Sequence, residues 1–227
     1  MGIEMDFNKC ELFISSRSPF ARRVRLALLE NQIVYKEIVC DVFKPTAELI
    51  TANPLARVPT LRLASGEVLI DSNLILQAFY ETLVTSPTSP TSPASPASPV
   101  TLMPSSATSR MAVYRWQAIA EGFAEKIVEY FLNTLRPPVN QDQELVEEFK
   151  SISERVLAEA ETTLIENPYH NCLLGDSLTQ ADLDLASALT YFGLRYSQEW
   201  KKHYPRTALY LATLEKRPSF IQTCPPA

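Results

Sequence analysis

Apolar and polar positions alternate over short stretches in the first third of the chain, then take on a helical period towards its end. Residues 9–15 read as a short strand. Residues 20–31 place Phe20, Val24, Ala27 and Leu28 on one face, which predicts a helix. A second strand is expected over residues 34–39, and a short turn or helix over 46–51 leads to the breaker pair Asn53-Pro54. Residues 60–63 and 68–70 flank Ala64-Ser65-Gly66-Glu67 as a hairpin, and residues 72–83 close the unit as a helix. The predicted order, β-α-β-α-β-β-α, is that of an α/β unit.

Ser-Pro then recurs every third residue, at Ser86, Ser89, Ser92, Ser95 and Ser98. Such a composition neither buries a core nor sustains a helix. Residues 85–101 are therefore expected to link a first domain over residues 8–84 to a second over residues 102–222. As extended polyproline II the repeat would span about 46 Å, at roughly 3.1 Å per residue. The second domain reads as all-α, with helices over residues 106–135, 142–166, 180–196 and 207–216. Arg136-Pro137-Pro138 stops the first of these. Thr179 and Asp182 have the spacing of a capping box at the start of the third, with Leu178 able to staple against Leu183. Its middle, Leu183, Leu185, Ala186, Ala188 and Leu189, is apolar nearly all round, as in a helix buried within its domain.

Composition narrows the function classes. With 227 residues, 46% hydrophobic and 21% charged, the chain can bury a sizeable core. A formal net charge of −5 argues against a surface that tracks phosphates, so nucleic acid is not an expected partner. No apolar run is long enough to span a membrane, and the opening MGIEMDFNK lacks the basic-then-apolar build of a secretory signal. A cytoplasmic protein without a membrane partner is expected. Cys10, Cys40, Cys172 and Cys224 are widely spaced, with no CxxC pair and only His170 and His203 to assist them, so four reduced thiols and no metal are expected.

Three features of the first domain bear on chemistry. Ser18-Pro19-Phe20 lies where the first strand turns into the first helix, placing Ser18 at the N-cap and Pro19 at N1. Its hydroxyl either only caps the helix or faces a cleft at the positive helix end, where an anion such as a thiolate is favoured. Val58-Pro59 precedes a strand. Were that bond cis, the main chain of Val58 would be left open to pair with an extended peptide-like ligand; the trans form is the usual one. Asp71-Ser72 heads another helix, where it either caps or holds the ammonium and carboxylate of an amino-acid group.

Ser-Pro-Phe-Ala-Arg-Arg-Val-Arg from Ser18, Asn53-Pro54 with Arg57-Val58-Pro59-Thr60-Leu61, and Asp71-Ser72 resemble the glutathione transferase family. Leu102-Met103-Pro104 with Arg110, Ala120-Glu121-Gly122, Leu174-Gly175-Asp176 with Thr179-Gln180-Ala181-Asp182, and Arg217-Pro218-Ser219-Phe220 follow in the family's order. The resemblance covers residues 9–220 apart from the Ser-Pro insert, which stands where relatives have a short connection. It implies a thioredoxin-like α/β domain followed by an all-α helical domain, a cis bond at Val58-Pro59, and glutathione as co-substrate without a metal.

It also implies roles for particular residues. Val58 would pair through its main chain with the cysteinyl part of glutathione, next to Pro59, and Asp71 and Ser72 would take the γ-glutamyl end. Lys44 and Arg57 would reach either carboxylate of the tripeptide, or stand as solvated surface charges. Phe20 would contact glutathione and also line the pocket for the second substrate. Ser18 matches the catalytic position, where serine donates a hydrogen bond to the thiolate while cysteine would form a mixed disulfide. Ser15 and Ser16 offer other hydroxyls, and Arg17 or Arg22 would add positive potential. Arg110 and Tyr114, sharing a helix face with Gln117 and Glu121, are expected to line a pocket for an electrophilic small molecule. The expectation is a homodimeric glutathione transferase of detoxification type. The alternatives are a non-catalytic binding or scaffold protein of this fold and a glutathione-dependent disulfide reductase.

Overall fold

The structure, a computed structural model, describes residues 6–85, 101–169 and 171–226. Most of the expected linker over residues 85–101, together with His170, lies outside the described residues. The chain forms two units, one ending before Thr101 and including Thr223–Pro226, the other over Thr101–Gln222.

The first unit follows the order β1 (Glu11–Ile14), α1 (Pro19–Glu30), β2 (Lys36–Val39), α2 (Ala47–Ala52), β3 (Thr60–Arg62), β4 (Val68–Ile70) and α3 (Ser72–Thr85). The sheet order is β2-β1-β3-β4, with β2 parallel to β1 and β3 and β4 antiparallel to their neighbours. This is a thioredoxin-like arrangement, as the β-α-β-α-β-β-α pattern predicted. The first three strands are shorter than their sequence patterns, while β4 matches its expected residues. Lys9 lies in a turn at φ 61°, and although its N–H still reaches the Val34 carbonyl, regular pairing begins only at Glu11 and Lys36.

The faces of α1 differ from expectation. Val24, Ala27 and Leu28 enter the core, and so do Arg22, Arg23 and Arg25, each less than a tenth exposed. A buried guanidinium requires partners, and tertiary contacts supply them. Arg25 Nε and Nη2 donate to Glu37 at 2.7 and 3.1 Å, Arg23 Nη1 donates to Asn73 Oδ1 at 2.9 Å, and Arg22 Nε donates to Thr223 Oγ1 at 3.4 Å. Thr223 is fully buried, and Arg25 Nη1 and Arg17 Nε also donate to the carbonyls of Thr223 and Pro226.

The second unit is helical: α4 (Ala107–Thr134), a single 3-10 turn (Pro138–Asn140), α5 (Gln143–Glu166), α6 (Gln180–Arg195), α7 (Trp200–His203), α8 (Pro205–Leu214) and α9 (Pro218–Gln222). α6 is buried along Gln180–Leu189, as its apolar circumference predicted, and packs most heavily on α4. Thr179 and Asp182 close the capping box. The fully buried Asp182 accepts from the Leu173 and Thr179 N–H groups at 2.6 and 2.7 Å and from the Thr179 and Tyr210 hydroxyls, both at 2.9 Å. Burial pushes its carboxyl above the usual range, opposed by these four hydrogen bonds. Glu161 caps α8 from a distance, accepting from the N–H groups of Arg206 and Thr207.

Candidate functional site

Strand register gathers the sequence-predicted positions at one end of the sheet. Phe13 pairs with Thr60 and Thr60 with Ile70. The exit of β1 towards Ser18, the entry to β3 after Val58-Pro59 and the exit of β4 towards Asp71 therefore share that end. β2 runs parallel to β1, so Lys44, in the turn after it, lies at the same end. Nothing in local sequence dictates this; the ladder does.

Ser18 is the N-cap of α1, with φ −71° and ψ 121°, and Pro19 occupies N1. The turn before it is closed by the Ser18 N–H on the Ser15 carbonyl at 2.9 Å. Ser18 Oγ accepts from the Ala21 N–H at 3.2 Å. That bond uses a lone pair, and the hydroxyl hydrogen has no acceptor among the described residues. The N–H of half-buried Phe20, at N2, is likewise without an acceptor, so two donors remain at the positive end of the helix. Arg22, one of the two arginines expected to add potential here, is buried and donates through Nε to Thr223 Oγ1.

The Val58-Pro59 peptide is cis, as the family resemblance implied. Neither the N–H nor the C=O of Val58 is hydrogen-bonded among the described residues, while its side chain packs against Phe13, Cys40 and Leu49. Pro59 is buried, and Arg57 and Lys44 are exposed with no carboxylate partner among the described residues. Asp71 is exposed with φ 72° and caps α3, its Oδ1 accepting from the Asn73 N–H at 2.8 Å. Ser72 is buried, its Oγ taking a hydrogen bond from Arg23 Nη1 at 3.3 Å. Sequence reasoning missed this use of Arg23, because a second arginine beside Arg22 reads as a surface charge until the packing is known.

On α4, Arg110 Nη1 donates to the carbonyls of Pro104, at 3.3 Å, and Ser105, at its own helix start. Tyr114 is 48% exposed, and Gln117 is buried with its Oε1 lacking a partner among the described residues. An open depression of about 590 Å³ lies at the other end of the sheet, beside Lys9, Lys36 and Arg62. Lys36 and Arg62 already meet Glu11 there, holding its carboxyl below the usual range. That depression is therefore not the convergence described above. Among the described residues no group of three His, Cys, Asp or Glu side chains is placed to hold a metal, and no helix is long and apolar enough to cross a membrane.

Residues 12–100 match the model of the glutathione S-transferase N-terminal domain, and residues 123–218 that of the C-terminal domain. The chain belongs to the glutathione S-transferase family. Among solved glutathione S-transferases, that of Methylobacillus flagellatus with GSH bound is 29% identical, with a TM-score of 0.82 over 96% of this chain and 100% of the other. A family member from Pseudomonas fluorescens with bound glutathione is 26% identical, with a TM-score of 0.75 over 96% and 100%. Among curated proteins, the uncharacterized GST-like protein YibF of Escherichia coli is 25% identical over 93% of this chain and 96% of its own.

Proposed function

We propose that this protein is a glutathione transferase in which Ser18 stabilises the glutathione thiolate for attack on an electrophilic small molecule. The observation that carries the reading is the joint presence, at one end of one sheet, of an uncommitted Ser18 hydroxyl hydrogen and an unpaired Val58 main chain. The peptide groups of Val58 pair with the cysteinyl residue of glutathione as an added strand would. Asp71 and Ser72 take the γ-glutamyl end, and Lys44 and Arg57 neutralise carboxylates. Pro59 keeps Val58 presented, and Phe20 offers its N–H beside the sulfur. Relatives solved with glutathione support the choice of ligand.

The chemistry is conjugation. The bound thiol loses its proton to solvent, the Ser18 hydroxyl and the α1 N-terminus stabilise the resulting anion, and sulfur forms a bond to the electrophilic carbon as the leaving group departs. Serine cannot form the mixed disulfide that a reductase of this fold would use, which sets the reductase reading aside. Arg110 and Tyr114 are the residues assigned to the electrophile. A cytoplasmic homodimer acting in detoxification completes the proposal. Calorimetry with glutathione and turnover of a chloronitrobenzene test it. Binding with turnover is expected; binding alone would favour the scaffold role, and no binding at millimolar glutathione would end the proposal.

A further inference from the structure

Asn53 marks a breaker in the sequence, yet the fold uses every polar group it carries. It is 1% exposed at the C-cap of α2, where its N–H donates to the Leu49 carbonyl at 2.8 Å and its carbonyl accepts from the Ala56 N–H at 2.8 Å. Its Oδ1 accepts from the Leu55 N–H at 2.9 Å, while Nδ2 donates to the Arg57 carbonyl at 3.1 Å and to Thr60 Oγ1 at 2.9 Å. Thr60, fully buried, donates its hydroxyl to the same Arg57 carbonyl at 2.8 Å. One carboxamide thus grips the chain on both sides of Val58 and Pro59.

The gripped loop is not at ease by itself. Ala56 sits at φ 51°, in the left-handed region, and Val58 has no hydrogen bond of its own among the described residues. A non-glycine residue in that region persists only where its surroundings over-determine it. An open N–H and C=O serve a peptide-like ligand well only if they are held still beforehand, since ordering them on binding would subtract from affinity. Asn53 and Thr60, 1% and 0% exposed, supply that constraint from the buried side of the loop, so they need not touch the ligand.

We infer that Asn53, acting with Thr60 through the Arg57 carbonyl, is a positioning residue that presents the main chain of Val58 to the cysteinyl part of glutathione. This inference rests on glutathione being the ligand, and it assigns a role to residues outside the set proposed to contact it. Its signature is a split: the Michaelis constant for glutathione rises, while turnover at saturating glutathione, governed by Ser18, is kept.

The experiment compares wild type with Asn53→Ala, Thr60→Val and Thr60→Ser. Losing the grip is expected to weaken glutathione binding by calorimetry about tenfold in Asn53→Ala and several-fold in Thr60→Val, with saturated turnover within about twofold of wild type. Thr60→Ser keeps the hydroxyl and should restore wild-type affinity. Hydrogen exchange without ligand gives a second reading, since the amides of residues 55–58, 60 and 61 should exchange faster in Asn53→Ala and Thr60→Val only. If Asn53→Ala does not fold, Thr60→Val and Thr60→Ser decide the matter. Wild-type affinity in a folded Asn53→Ala or Thr60→Val protein would overturn this inference alone. No glutathione uptake by wild type would overturn both it and the proposed function.

Discussion

Replacing Ser18 by alanine separates two tasks that one hydroxyl performs at once. As an acceptor, Ser18 Oγ caps α1 through the Ala21 N–H at 3.2 Å. Losing a serine cap costs about 1 kcal/mol of stability, which a folded domain tolerates. As a donor, the hydroxyl is proposed to meet the thiolate, a charge-assisted bond of about 1.5 to 3 kcal/mol. At about 1.4 kcal/mol per factor of ten, its loss lowers turnover about ten- to a hundredfold. The same energy appears in titration: the bound thiol is held less firmly ionised, so the midpoint of the pH–rate profile moves up by about one to two pH units. The Phe20 N–H and the helix end remain, so binding of glutathione is largely kept. The assay measures chloronitrobenzene conjugation across pH, with thiolate absorbance of the binary complex as a check and urea unfolding to confirm the small stability loss. A folded Ser18→Ala protein with unchanged turnover and an unchanged midpoint would refute the role of Ser18.

Other substitutions probe separate parts of the molecule. Asp71→Gly removes the carboxylate at φ 72° but suits that backbone, so glutathione affinity should fall about tenfold by calorimetry while stability stays within about 1 kcal/mol. Asp182→Ala strands the Leu173 and Thr179 N–H groups and the Tyr210 hydroxyl, and should cost about 3 to 5 kcal/mol in urea unfolding without touching the proposed glutathione site. Cys10, Cys40 and Cys172 are buried and Cys224 is exposed, so a thiol reagent should modify one thiol per chain in native protein and four in denaturant. Burial pushes the Cys10 and Cys172 thiols from 9.0 up to about 11, so the folded state favours their neutral form. The resulting stability is complete below 9.0 and is lost as pH rises through about 11; replacing both residues by alanine should flatten that alkaline decline in thermal unfolding scans.

Long elements were legible in the sequence because each declares itself by its own periodicity and caps. The expected helices over residues 142–166 and 180–196 correspond to Gln143–Glu166 and Gln180–Arg195. Two short helices of the second domain were not. Trp200–His203 and Pro218–Gln222 are too brief to show a period, and Thr207 proved to lie inside a helix that begins at Pro205. The start of that helix is completed by Glu161, which local reading cannot link to it.

Sequence by itself determined the class of each half of the chain, the serine at the head of the first helix and the motifs by which the family is known, since these depend on residues a few positions apart. Only tertiary structure decided what those residues face. The register of Phe13, Thr60 and Ile70 brings Ser18, Val58 and Asp71 to one end of the sheet, and burial turns three arginines of α1 into internal ties. The carboxamide of Asn53 spans the loop from one side of Val58 to the other. These ties join residues that only the folded chain brings together, and the buried ones persist because packing excludes water from them, so their partners are a property of the folded state.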